Sequence, residues 1–102
     1  MVNVTKHAYK RMKERCGYSK STCQRMAEKA FVEGVSHADV SGRLDKYFYQ
    51  LYCYDYSANN LRIYGEFVYV FSDHNLVTVM LLPNDLKNSV KKTMNIKRKV
   101  ST

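Results

Sequence analysis

The sequence predicts an α+β domain. N-terminal helices, two or three of them, pack on a three- to four-stranded antiparallel sheet, and a basic C-terminal helix or tail follows. Three observations carry this expectation. Apolar residues recur at helical spacing through the first half of the chain. Between residues 61 and 82 they give way to short runs of β-branched and aromatic residues separated by turn-forming groups. Pro83, the only proline, then closes the last apolar run and separates it from a basic segment. With 102 residues, 45% hydrophobic and 13% aromatic, the chain is one domain by size and can bury a core without disulfides or metals. Residues 1–83 read as that domain and residues 84–102 as the basic C-terminal segment.

The first helix is expected over Thr5–Arg15. Thr5 can cap it, Gly17 can close it in a left-handed conformation, and Ala8, Met12 and Cys16 form the buried stripe. A second helix begins near Ser19 or Ser21, where Ser21 and Gln24 fit a capping box. Cys23, Met26, Ala27, Ala30 and Phe31 make its inner face, and Gly34 stops it. From Gly42 to Tyr54 the tyrosines favour a strand. Leu44, Tyr47, Phe48, Leu51 and Tyr52 nevertheless follow the helical template, and strict alternation fails, so we read a third helix. Ser57-Ala58-Asn59-Asn60 reads as a loop. Leu61–Tyr64, Phe67–Phe71 and Leu76–Leu82 form a three-stranded meander joined at Gly65-Glu66 and Asp73-His74-Asn75. The last strand is apolar on both faces. One face would lie under the helices; the other needs the C-terminal segment, a partner or a ligand. Leu86, Val90 and Met94 are four apart, so residues 84–94 can form a short covering helix.

Charge narrows the partners. Lys and Arg number 17 against 9 Asp and Glu, for a formal net charge of +8. Six of the basic residues, Lys87, Lys91, Lys92, Lys97, Arg98 and Lys99, lie in the C-terminal segment with a single acid, Asp85. Such clustering attracts phosphates, so nucleic acid is the expected partner, RNA before DNA. No apolar run approaches the ~20 residues of a membrane span. The stretch MVNVTKHAYKRMKER has no signal-peptide core. Cys16, Cys23 and Cys53 are odd in number and form no C-x-x-C pair, which points to reduced thiols. These features together lead us to expect a cytoplasmic protein with no membrane partner, cofactor or metal.

The sharpest candidate site is His7, Arg11 and Arg15. At i, i+4, i+8 each step turns only ~40° around a helix, so the three share one side. An imidazole can give or take a proton near neutral pH. Two guanidiniums can grip a phosphate and stabilise added negative charge. The same row also suits phosphate binding without catalysis, or an ordinary basic helix face. On the sheet, if Leu61 and Ile63 meet the helices, Arg62 and Tyr64 project to the open face; with Tyr69 and Thr78 they could bind phosphate and stack bases, though such tyrosines equally suit a core or a dimer interface. Arg43, beside Gly42, is a further phosphate contact, and Lys91, Lys92, Lys97, Arg98 and Lys99 supply sequence-independent attraction. His37 and His74 read as surface residues without evident partners. No glycine-rich phosphate loop, G-x-S-x-G elbow, H-E-x-x-H motif or carboxylate cluster is present.

The segment His7-Ala8-x-x-Arg11-x-x-x-Arg15-x-Gly17 resembles the opening helix of a group of small bacterial and phage proteins. Gly42-Arg43-Leu44-x-x-Tyr47, Asn60-Leu61-Arg62-Ile63-Tyr64-Gly65 and Leu76-Val77-Thr78-Val79 with Pro83 add to the likeness. The group is similar to RelE-like toxins, within the barnase–EndoU–colicin–RelE type of metal-independent RNase. The resemblance implies that His7, Arg11, Arg15, Arg62 and Thr78 line an RNA-cleaving cleft. Typical RelE-like toxins begin with a strand, whereas this chain reads as beginning with a helix. Two further classes stay open: a non-catalytic RNA- or DNA-binding accessory protein of a phage or mobile element, and an interaction module that forms a homodimer or takes a protein partner on its apolar sheet face.

Overall fold

The computed structural model describes residues 2–40, 42–54 and 59–101, with the side chains of 53–54 and 97–101 outside the description. The architecture is α+β, as expected, but the sheet is mixed. A two-residue strand, β1 (Asn3–Val4), precedes the first helix and pairs in parallel with the last strand. The sequence reads as a helix first and an antiparallel sheet after it. Two residues cannot display a period, so β1 leaves no pattern to find.

Helix α1 (Lys6–Cys16) starts where Thr5 Oγ1 accepts the Ala8 N–H at 3.2 Å. It ends at Gly17, whose φ of 71° suits glycine and whose N–H donates to the Lys13 and Met12 carbonyls. Helix α2 (Lys20–Glu33) is capped by Ser19, which accepts from the Thr22 N–H, rather than by Ser21. Gly34 closes it in an extended conformation, and a Cβ there would run into the Ala30 carbonyl. A 3-10 turn (His37–Asp39) leads to α3 (Arg43–Tyr54), so the helical template prevails over tyrosine's strand propensity. Of the expected loop, residues 57–58 lie outside the described residues, while Asn60 already opens the next strand.

Strands β2 (Asn60–Tyr64), β3 (Phe67–Ser72) and β4 (Asn75–Leu81) form the expected meander. The sheet order is β1-β4-β3-β2. Val70 pairs with Thr78 and Phe71 with Leu76, so Val77 is an extra residue in β4. A second 3-10 turn (Asn84–Leu86) leads into α4 (Lys87–Ser101), longer than the helix expected over 84–94.

Helices cover both faces of the sheet. Ala8 and Met12 of α1 and Cys23, Ala27 and Ala30 of α2 pack with Tyr69, Phe71, Leu76 and Val79. On the other face, Leu44 and Phe48 of α3 and Leu86 and Val90 at the start of the C-terminal segment pack with Leu61, Ile63, Val68 and Val70. Of the three coverings expected for the second apolar face, the C-terminal segment supplies one, together with α3. Leu86, Val90 and Met94 tie this segment to the core, and Lys87 Nζ lies 3.6 Å from Glu66 Oε1 at the β2–β3 turn. Among the described residues no helix is long and apolar enough to cross a membrane.

Candidate nucleic-acid interface

Both ends of α1 are tied to β4. Thr5 donates through its N–H and its hydroxyl to the Leu76 carbonyl, and Arg15 Nη1 donates to the Val79 carbonyl at 2.5 Å. Because β1 pairs only with Asn75 and Leu76, the rest of that edge of β4 has no strand partner among the described residues. Arg15 satisfies one carbonyl there. Edge strands with free carbonyls invite unwanted pairing, so this contact is structural as well as electrostatic.

His7 and Arg11 stand one turn apart on the same side of α1. Arg11 Nε lies 3.5 Å from His7 Nε2, a long contact in which the imidazole nitrogen is the acceptor. Arg11 also pairs with Glu14 at 3.3 Å. His7 is exposed and Arg11 is half-buried. The helical spacing thus brings the three residues to one side, as the sequence predicts, but with different duties. His7 and Arg11 face outward, and Arg15 is turned onto the sheet edge.

The strand residues do not join them. Arg62 pairs in register with Tyr69, which belongs to the α1–α2 core, so Arg62 points to the covered face rather than an open one. It sits under the end of α2, donating to the Gly34 carbonyl at 3.2 Å and to Asn60 Oδ1 at 3.1 Å, with its guanidinium 6.0 Å from the Phe31 ring centroid. Sheet pleating explains the reversal. Leu61 and Ile63 meet helices as expected, but those helices include α3, and the other face is covered too. Thr78 opposes Val70 of the α3–α4 core and so projects from the face opposite α1. One cleft cannot contain His7 and Thr78.

The remaining candidates scatter. Tyr64 packs at the margin of the α1–α2 core. With Lys91 it also lines a groove of about 500 Å³ between the β2–β3 turn and α4. Arg43 Nη2 pairs with Asp85 Oδ2 at 2.7 Å, an exposed ion pair far along the chain from the α1 row. Lys92 is exposed on α4, and the side chains of Lys97, Arg98 and Lys99 lie outside the described residues.

Sequence reading misses the partners of two histidines. His37 Nε2 lies 2.6 Å from Asp45 Oδ1, and its ring packs against Phe48 and Tyr52. His74 stacks on Phe31 at 5.2 Å. Neither contact has a sequence signature, because each joins a turn to a separate helix. The lysines and tyrosines between α1 and α2 also escape it, although Lys6, Tyr9 and Lys13 recur at i, i+3, i+7.

Comparison with protein-family models, with curated proteins and with solved structures finds no match.

Proposed function

We propose that the protein is nucleic-acid-directed and that RNA lies along the exposed edge of α1 that carries His7 and Arg11. The observation that supports this best is the 3.5 Å contact between Arg11 Nε and His7 Nε2. There an exposed imidazole and a half-buried guanidinium stand together on one side of α1. A net charge of +8 draws phosphates toward the whole surface, and this edge supplies directional donors. The resemblance to RelE-like toxins supports RNA as the polymer. The reading fails if the purified protein binds neither RNA nor DNA at low salt.

Metal-independent cleavage is the second reading, favoured by the same contact. The exposed His7 imidazole, one helical turn from Arg11, is placed where a general base could meet an incoming 2′-hydroxyl. A substrate 2′-hydroxyl would replace that long contact and give its proton to His7. Its oxygen would then bond the adjacent phosphorus while the bond to the 5′-oxygen breaks, and the leaving oxygen would take a proton from water. Arg11 would hold the phosphate as charge builds. Arg62 and Thr78 have no part in this scheme. Incubation with RNA in EDTA tests it: cleavage by the wild type and none by His7→Ala supports the reading, and equal cleavage by both overturns it.

A further inference from the structure

Helix α1 has a second cationic flank. Lys6, Tyr9 and Lys13 face α2 and, with Tyr18, Lys20 and Cys23, line a cavity of about 410 Å³ between the two helices. Two residues along a helix is a turn of ~200°, so Tyr9 and Lys13 lie nearly opposite His7 and Arg11. The cavity is therefore separate from the proposed RNA edge.

Its lining has an unusual chemistry. Every charged group in it is a lysine. Among the described residues, none of Lys6, Lys13 and Lys20 takes part in an ion pair. Lys20 Nζ stands over the Tyr9 ring, 5.6 Å from its centroid, a loose cation–π contact that an entering aromatic base replaces as Lys20 turns to the phosphate. The ring is held in place, since the Tyr9 hydroxyl meets Gln24 Oε1 at 3.5 Å and Gln24 Nε2 donates to the Val2 carbonyl at 2.7 Å. The volume falls within the ~300–1,000 Å³ typical of small-ligand sites.

A simple anion would use the lysines and leave the rings idle. A neutral aromatic would use the rings and leave three ammonium groups uncompensated. We infer that the cavity binds a nucleoside phosphate, with its base against Tyr9 and Tyr18 and its phosphate among Lys6, Lys13 and Lys20. A free nucleotide and the 5′-phosphorylated end of a strand present the same chemistry. The inference does not depend on RNA binding at the His7 edge.

Titration of the full chain with AMP, followed by amide NMR, tests it. AMP is expected to shift residues around Tyr9, Tyr18 and Lys20 and to bind more tightly than adenosine or inorganic phosphate. The double variant Lys13→Ala/Lys20→Ala changes exposed side chains, so its fold should persist. It should bind AMP about tenfold more weakly, as expected when at least one charge-assisted hydrogen bond is removed. Lys29→Ala/Lys46→Ala removes the same charge elsewhere and should leave AMP binding unchanged. A 5′-phosphorylated oligonucleotide that binds more tightly than AMP, and than its 5′-hydroxyl counterpart, would identify a strand end as the source; preference for AMP would identify the free nucleotide. AMP binding no tighter than inorganic phosphate, or equal weakening by both double variants, would overturn the inference.

Discussion

Arg15, in the last turn of α1, donates to the carbonyl of Val79 in the last strand of the sheet. The side chain that sequence spacing places in a phosphate-binding row thus also fastens the helix to the open edge of β4. Arg15→Ala should lower stability by about 1 kcal/mol, the net worth of a part-buried side-chain hydrogen bond. Urea denaturation would measure it. Arg11→Ala loses the exposed pair with Glu14 and the long contact with His7, and should change stability by about 0.5 kcal/mol or less.

Arg62 is placed to hold structure rather than ligand. Its bonds to the Gly34 carbonyl and Asn60, and its packing near Phe31, join the edge strand to the end of α2. We expect Arg62→Ala to cost about 1–2 kcal/mol in denaturation while RNA affinity of the folded fraction stays unchanged. Gly34→Ala should destabilise comparably, because its Cβ has no room beside the Ala30 carbonyl.

Tyr69 is fully buried, and its hydroxyl has only a poorly aligned partner in the Tyr18 hydroxyl. Burial pushes its pKa upward, with Tyr18 the next influence. A buried hydroxyl with a poorly aligned partner costs stability, so Tyr69→Phe should raise stability by about 1 kcal/mol or less. A lower melting temperature for Tyr69→Phe would show that the hydroxyl is satisfied in solution.

Alkaline pH should weaken the fold. Burial pushes the Cys16 thiol from 9.0 up to about 11, with Cys23 adding to the shift and Arg15 opposing it. Between these values the unfolded chain has released a proton that the folded chain keeps. Stability is therefore intact below about pH 9 and falls as pH rises toward 11. Cys23, Tyr18, Tyr47 and Tyr69 are shifted upward as well and act in the same sense. Urea midpoints should be level from pH 7 to 9 and then decline. A midpoint that rises above pH 9 would contradict this.

Periodicity makes most of the fold legible. Ala8 and Met12, or Leu44 and Phe48, recur every fourth residue because one helix face is buried, and that burial is what sequence patterns record. What escapes is pairing. Asn3 and Val4 are too few to show alternation. Nothing local to Arg62 tells which sheet face α2 covers, because that depends on helices folding onto both sides. The His7–Arg11 proximity is readable because four residues along one helix fix it. Thr78 is misplaced by sequence reading because its face is set by register with Val70 and by the extra residue Val77.

RNA affinity measured against salt concentration, for the wild type and for His7→Ala/Arg11→Ala, tests the placement of RNA most directly. Both side chains lie on the outer side of the helix, so circular dichroism should confirm an unchanged fold. The wild type should bind single-stranded RNA with an affinity that falls steeply as salt rises. The variant should bind more weakly, and its log–log slope should be shallower by about 0.7 for each phosphate it no longer neutralises. A variant that matches the wild type in both affinity and slope would contradict the placement of RNA on the α1 edge.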